Sequence, residues 1–466
     1  MLRFLHRRAL RSLLLLGCTE WLLLGATLYL AMHIRFPGDP ASLAESFRHP
    51  RLQALLFGTL LVLGMAAMGM YQPHMRETLS GRMARLAVGM GLGVLGLTVI
   101  YYLLPQMYVG RGILAIAVVL GFLVVLLLRS GFQRLLDSQT LRRRVLVLGA
   151  GSSAALIPQL LRRRSDRRGF ALVGHVPVAD EICAVPPASL VDLQGTLHDY
   201  AAREQIDEIL VAVEDRRGRL PMEALFRCRQ QGIAVTDMAT FFESESGQVP
   251  LALTDPSWLV FSGGFLATPA RRASKRALDL AAAALVLLLT WPLMLLVALA
   301  IRIESGAGQP VLYWQERTGQ HGKAFRLVKF RSMRTDAESD GRARWAGKND
   351  TRVTRVGRFI RKVRLDELPQ LWNVLRGEMS FIGPRPERPD FVRELAAHIR
   401  YYDARHCVKP GLTGWAQLLY PYGASEHDAA QKLKYDLFYI KNQNMVLDLL
   451  ILLQTVEVVL FGRGAR

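Results

Sequence analysis

Two adjacent acids, Asp366 and Glu367, stand in the run Leu365-Asp-Glu-Leu-Pro-Gln-Leu371, directly behind Arg355, Arg358, Arg361, Lys362 and Arg364. Carboxylates among cations suit chemistry on phosphate. One acid can serve as nucleophile or metal ligand and the other as acid/base. Neighbours on a helix point about 100° apart, so the two are not a face-to-face pair sharing one proton. Spacing alone leaves the bland alternative open, carboxylates that cap a helix amid solvated arginines. In Phe381-Ile-Gly-Pro-Arg-Pro-Glu387, two prolines hold a loop stiff and present Arg385 for a bidentate phosphate contact. Phe325-Arg-Leu-Val-Lys-Phe-Arg-Ser-Met333 alternates like a strand and projects Lys329 as a point charge. Judged singly, each of these cations also fits an ordinary solvated side chain.

The elements around these residues point to a membrane surface. Val356, Phe359, Ile360 and Val363 recur at i, i+3, i+4, i+7 between the basic residues, which makes a basic amphipathic helix suited to lipid headgroups. A second helix is expected from near Asp366, with Pro369 in its first turn and Leu368, Leu371, Trp372 and Leu375 on one face. Upstream, residues 277–301 are almost wholly apolar and long enough to span a bilayer. Pro292 near the middle removes a backbone bond and costs a straight helix about 3 kcal/mol. Both flanks are basic, Arg271, Arg272, Lys275 and Arg276 before and Arg302 after, so a crossing would place one of them outside. The expectation is a re-entrant helix broken at Pro292.

Four further apolar runs open the chain, near residues 12–34, 52–71, 83–104 and 113–128, each close to the roughly 20 residues a spanning helix needs. Arg3, Arg7, Arg8 and Arg11 precede the first run. Arg76, Arg82 and Arg85 lie around the second connection, and Arg129, Arg134 and the triplet at 142–144 follow the fourth. That balance puts the N-terminus and residue 140 on the cytoplasmic side of the membrane. The first connection, with Arg35, Arg48 and Arg51 against Asp39 and Glu45, is a weak exception.

Residues 144–155 run from an apolar strand into Gly149-x-Gly151-x-x-Ala154 and then a helix, the geometry in which backbone amides approach a pyrophosphate. A dinucleotide site also wants an acid at the end of the next strand, residues 170–175, and none comes before Asp180. Later alternation, Glu208-Ile-Leu-Val-Ala-Val and Gly232-Ile-Ala-Val, supports a Rossmann-like parallel α/β domain without a functional NAD site. The chain thus divides into a four-span region (1–135), a Rossmann-like middle domain (136–265) and an α-rich C-terminal catalytic domain (266–466). The net charge of +20, from 59 Lys+Arg against 39 Asp+Glu, calls for an anionic partner, and the apolar runs favour lipid over nucleic acid. Cys18, Cys183, Cys228 and Cys407 show no metal or redox spacing.

Three runs resemble the bacterial sugar transferases, the monotopic phosphoglycosyl transferases that act on polyprenyl phosphate. They are Arg361-Lys-Val-Arg-Leu-Asp-Glu-Leu-Pro-Gln-Leu371, Gly377-Glu-Met-Ser-Phe-Ile-Gly-Pro-Arg-Pro-Glu387 and Lys409-Pro-Gly-Leu-Thr-Gly-Trp-Ala-Gln417. The agreement covers about residues 270–466, and the whole chain is similar to the long form of that family. Its ending, from Lys434-Tyr-Asp-Leu-Phe-Tyr-Ile-Lys-Asn442 to Arg466, resembles the branch tied to exopolysaccharide and exosortase loci. The resemblance implies transfer of a hexose-1-phosphate from a UDP-sugar to undecaprenyl phosphate by a ping-pong route, with UMP released and a phospho-Asp366 intermediate. It implies Mg²⁺ held partly by Asp366, with Glu367, Lys329 and Asp436 as further catalytic groups. Arg361, Arg364, Arg385, Glu387, Arg276 and Asp279 are then substrate-binding, and Pro292 is the break proline. Other expected partners are membrane lipid and a second copy of the chain, not nucleic acid. Two places depart from the pattern: Trp291 stands where many relatives have Ser, and Leu418-Leu-Tyr-Pro-Tyr-Gly-Ala-Ser425 replaces an Asn-Gly segment with a nearby arginine.

Two rivals share some features. A membrane-anchored nucleotide-sugar dehydratase needs Tyr-x-x-x-Lys, and none of the 13 tyrosines has Lys four residues on. A non-catalytic scaffold of a polysaccharide complex has no physical need for both acids at a basic surface.

Overall fold

The computed structural model describes residues 8–38, 48–71, 79–137, 142–161, 169–178, 181–213, 220–265, 268–306, 308–337, 350–420, 423 and 425–461. Arg3, Arg7, Arg76, Asp39, Glu45, Asp180, Pro421, Tyr422, Ala424 and residues 462–466 of the sequence argument lie outside them. The chain forms two compact units, residues 1–65 with 70–255, and residues 66–69 with 256–466.

The first unit opens with long apolar helices, α1 (Arg8–Arg35), α2 (Pro50–Ala67), α3 (Leu79–Leu103) and α4 (Arg111–Asp137). Each contains 18 to 24 residues apolar enough to cross a membrane. Leu15, Leu22, Val119 and Leu127 face outward, while Leu24, Leu28, Ala117 and Val125 are buried. Helices α2 and α3 meet at glycines. A Cβ on Gly64 would stand 2.1 Å from the Gly89 carbonyl oxygen, and one on Gly93 2.7 Å from Leu61 Cα. Such backbone approach is how helices pack where lipid removes the hydrophobic drive. Buried Glu20 pairs with Arg129 at 2.6 Å and accepts the Tyr71 hydroxyl, so this polar group inside the bundle is matched.

Next come β1 (Arg143–Leu148), α5 (Ser152–Leu160), β2 (Phe170–Val176), α6 (Leu197–Arg203), β3 (Glu208–Val211), α7 (Met222–Gln230), β4 (Ala234–Asp237) and α8 (Met238–Ser246). The strands make one parallel sheet in the order β2-β1-β3-β4. Val145, Val147 and Leu210 fill one side, Leu146, Leu148 and Ile209 the other. Burial on both faces is why these strands read as unbroken apolar runs. Gly149, at φ +115°, makes the expected turn into α5. Glu181 then does something the sequence did not announce. Its carboxylate accepts the Ala150 N–H at 2.8 Å, and a Cβ on Gly151 would lie 2.6 Å from its Oε1. One of the amides a pyrophosphate would use is thus taken by the chain's own carboxylate.

The second unit holds α9 (Pro256–Phe261), α10 (Pro269–Ser305), the antiparallel ribbon β5 (Leu312–Thr318) and β6 (Ala324–Phe330), and α11 (Arg355–Lys362). A 3₁₀ turn (Leu365–Gln370) leads to α12 (Leu371–Arg376), β7 (Ser380–Ile382), α13 (Pro389–His398), β8 (Gly411–Thr413), α14 (Trp415–Leu419), α15 (Glu426–Asn442) and α16 (Met445–Phe461). In helix α10 the helical backbone continues across Pro292, where the sequence suggests a break. A proline deletes only its own N–H, and a 37-residue helix carries that loss with the turns on either side intact. Near its start, Arg276 donates to the Val374 and Leu375 carbonyls at 2.6 and 2.7 Å. Near its end, Val297 and Ile301 pack with Phe330 and Ile360, and Glu304 accepts the Arg355 N–H at 2.7 Å. Between these anchors Leu288, Leu289, Leu295 and Leu296 are exposed.

Candidate active site

Helix α11 lies tight on the end of the ribbon, because a Cβ on Gly357 would come within 2.0 Å of the Ser332 carbonyl oxygen. Thr354 caps it by accepting the Gly357 N–H. After α11 the chain turns at Arg364 with φ +62°, a left-handed backbone uncommon outside glycine. The helix expected from Asp366 is a 3₁₀ turn, and α-helix begins only at Leu371. Pro369 explains the difference: it lacks an N–H and disfavours α backbone at Leu368. Successive side chains in such a turn stand about 120° apart, so Asp366 and Glu367 still diverge. Asn373 locks this segment to β6, accepting the Val328 N–H at 3.1 Å and donating to the Arg326 carbonyl at 2.8 Å.

A cavity of about 620 Å³ lies between the ribbon, this turn and the loop after β7. Lys329, Arg361, Arg364, Asp366, Glu367, Arg385, Glu387 and Asp436 all line it. Arg385 donates to Glu367 at 2.9 Å, and Arg364 reaches the same oxygen at 3.4 Å. Burial opposes the charge on Glu367, but Arg385 and Arg364 outweigh it and hold the carboxyl at about 2. Asp366 is different. Burial, and then the neighbouring Glu367 charge, push it up to about 6 against the pull of Lys329 and Arg361. Among the described residues its carboxylate accepts no hydrogen bond. Lys329 is partly buried with its Nζ 5.6 Å from the Tyr313 ring centroid; desolvation and then Arg317 bring it down to about 8.

The loop carrying Arg385 is held by backbone contacts that need glycine. Gly383 donates to the Thr413 carbonyl at 2.9 Å and Gly411 to the Pro384 carbonyl at 2.8 Å. A Cβ on Gly411 would stand 2.0 Å from Gly383 N. Asp436, expected as a catalytic group, lines the cavity with its charge already paired. It is buried and bound to Arg405 at 2.9 Å, and Arg405 also donates to the Tyr402 hydroxyl at 2.7 Å and the Arg385 carbonyl at 3.0 Å. Burial pushes Asp436 up to about 6, with Arg405 opposing.

Arg276 and Asp279, expected at the substrate, do not line this cavity. Arg276 closes the carbonyl end of α12, as above. Asp279 is buried, accepting the Phe381 N–H at 3.0 Å, the Ser380 hydroxyl at 2.9 Å and Lys275 at 3.0 Å. Their work is to seat α10 against the start of the Arg385 loop. Arg317, Arg331 and Arg405 were not picked out from the sequence. Alternation along β5 and β6 marks the first two, two residues apart from other cavity residues. Arg405 sits in an irregular 3₁₀ turn (Tyr402–Cys407) with no periodicity to mark it.

Residues 270–462 match the bacterial sugar transferase family, and residues 66–230 match a CoA-binding domain. A UDP-N-acetylgalactosamine-undecaprenyl-phosphate N-acetylgalactosaminephosphotransferase of Aeromonas hydrophila is 42% identical over 275 residues, 59% of this chain and 62% of that protein, so less than two thirds of the relative is matched. A UDP-galactose-lipid carrier transferase of Erwinia amylovora is 32% identical over 368 residues, 72% of each chain. An uncharacterized sugar transferase of Bacillus subtilis, EpsL, is 40% identical over 192 residues, 41% of this chain and 90% of that protein. With the acid pair, the stiff Arg385 loop and the cation-walled cavity in one unit, these matches mean that the chain belongs to the bacterial sugar transferase family.

Proposed function

We propose that this chain transfers a hexose-1-phosphate from a UDP-sugar to undecaprenyl phosphate at the cytoplasmic face of a bacterial inner membrane, initiating exopolysaccharide assembly. The environment of Asp366 carries this reading. It is a buried carboxylate with unclaimed lone pairs, beside Lys329 and among arginines, while its neighbour Glu367 is locked to Arg385. The names of the Aeromonas and Erwinia relatives pair a UDP-sugar with a lipid carrier, which supports the substrate class.

An Asp366 oxygen attacks the phosphorus that bears the sugar. The bond from that phosphorus to the bridging oxygen breaks, and UMP leaves with the electron pair. A mixed anhydride of Asp366 and the sugar-1-phosphate remains. An oxygen of undecaprenyl phosphate then attacks the same phosphorus, and the Asp366 carboxylate departs. Lys329, Arg361 and Arg385 offset the charge that builds on the phosphoryl oxygens. Glu367 binds protons too weakly to shuttle one near neutral pH; its task is to hold Arg385 and Arg364 in place.

Mg²⁺ fits this site. No cluster of three ligating side chains occurs among the described residues, but the ion commonly takes one or two carboxylates beside substrate phosphates and water. Asp366 would hold it, and when bound it would neutralise the diphosphate.

Re-entry of α10 is part of the proposal. Arg276 and Glu304 would be about 42 Å apart along a straight helix, more than the roughly 30 Å of hydrocarbon a bilayer offers. Yet both are bonded to the same compact unit. A helix bent at Pro292 keeps both basic flanks on one side. The middle domain takes no nicotinamide or CoA diphosphate at its glycine turn, because Glu181 repels it there.

The test is Asp366→Asn, nearly isosteric but not nucleophilic. With radiolabelled UDP-sugar it should yield neither the protein-bound sugar phosphate nor the lipid product, at unchanged melting temperature. More than a few per cent of wild-type turnover would remove the covalent role.

A further inference from the structure

The ribbon wall of the cavity is ordered along its length. Tyr313 pairs with Lys329 and Gln315 with Leu327, and the register continues beyond the strands, since Arg331 N–H donates to the Val311 carbonyl at 2.9 Å. Residues two apart share a face, so Lys329 and Arg331 point the same way, roughly 6 to 7 Å apart along the strand. At the other end of that face Arg317 donates to the Pro386 carbonyl at 3.2 Å and lies 3.7 Å from Glu387, which joins it to the loop of Arg385.

Arg331 is 7% exposed, lines the cavity, and has no carboxylate in ion-pair contact among the described residues. Its Nη1 reaches Gln309 Oε1 at a long 3.4 Å, and its Nη2 is buried with no partner. A guanidinium buried without an anion is costly, so an anion that arrives with a substrate is the missing partner. The surroundings say which substrate. Apolar Pro310 and Leu312 line the same end of the cavity. The adjoining Phe330 packs on Val297 and Ile301 of α10, and Leu299 and Ile303 of that helix are exposed. A buried cation therefore sits where an apolar path leads to the membrane-associated helix.

Resting on the function proposed above, we infer that Arg331 binds the phosphate of the polyprenyl acceptor, whose tail leaves past Leu312 along α10. The acceptor oxygen must enter opposite Asp366 once UMP has gone, and its phosphate then needs a cation of its own. Arg331 supplies it without being part of the donor's attack on Asp366.

The two half-reactions separate the sources of phosphate. Full-length enzyme in nanodiscs is first given radiolabelled UDP-sugar alone, and then chased with undecaprenyl phosphate. Arg331→Met should form the labelled adduct and release UMP within about threefold of the wild-type rate. Its apparent KM for undecaprenyl phosphate in the chase should rise about 10- to 100-fold, the range for a lost charge-assisted contact. Arg331→Lys, which keeps the charge but not the fork, should fall between, and it carries the test should Arg331→Met not fold. An adduct step slowed by as much as the chase, or an unchanged chase, would overturn the assignment. Absence of any adduct in the wild-type enzyme would instead refute the covalent function on which it rests.

Discussion

Replacing Lys329 by Met should reshape the pH profile of the first half-reaction in a way that separates its two tasks. Asp366 must be ionised to attack, so the rate falls as pH drops through about 6. Lys329 must be protonated to stabilise the phosphoryl oxygens, so the rate falls again as pH rises through about 8. Burial is the main cause of both shifts, and Lys329 itself holds Asp366 down. Removing that charge should raise Asp366 by about one unit, about 1.4 kcal/mol. At pH 7 that takes the ionised fraction from about nine tenths to about half, a loss of only about twofold. Losing an oriented cation at the reacting phosphate costs on the order of 100-fold in rate. The profile, more than the rate at one pH, therefore reports the electrostatic coupling. The assay is UMP release without lipid acceptor, because a phosphate monoester titrates near pH 6 and would mask the acid limb. An acid limb still at 6 and an alkaline limb still at 8 in Lys329→Met would refute the coupling and the role of Lys329.

Asp436→Asn leaves Arg405 buried without its counter-charge, a loss of about 3–5 kcal/mol, so calorimetry should show a melting point lower by about 10 °C. The double change Asp436→Leu with Arg405→Met should regain most of that stability while activity stays low, since the Arg385 carbonyl has lost its anchor; a fully active double variant would end the positioning role. In a cysteine-free background, single cysteines at positions 270 and 442 should both resist a membrane-impermeant thiol reagent in intact cells, and labelling at 442 alone would show that α10 crosses the bilayer. A chain of residues 266–466 should keep adduct formation in nanodiscs, because all residues that line the cavity fall within that range. A well-folded but inert fragment, together with NAD-stimulated turnover of the full chain, would contradict the reading of the middle domain.

Much of this molecule is readable from local pattern. Apolar runs of membrane length, period-2 alternation in β6, the glycine turn at Gly149 and the acid pair behind a basic helix all depend on neighbours within a few residues, and each appears where the sequence puts it. Local pattern says less where a residue's partner is distant. Pro292 reads as a break, and helical backbone nonetheless continues across it in a helix anchored at both ends on folded protein. Asp279 and Arg276 looked like ligands for substrate, yet their partners, Phe381 N and the α12 carbonyls, come from about 100 residues downstream. Asp436 carries the right charge, and only its 2.9 Å contact with Arg405 shows that the charge is already used. The sequence by itself determined which elements form and which residue types gather for phosphate chemistry, because propensity, periodicity and charge are local quantities. Which carboxylate is left unclaimed, which arginine lacks an anion, and that Glu181 closes its own domain's phosphate turn were decided by tertiary structure. Burial and pairing depend on segments far apart in the chain, and no short-range pattern records them.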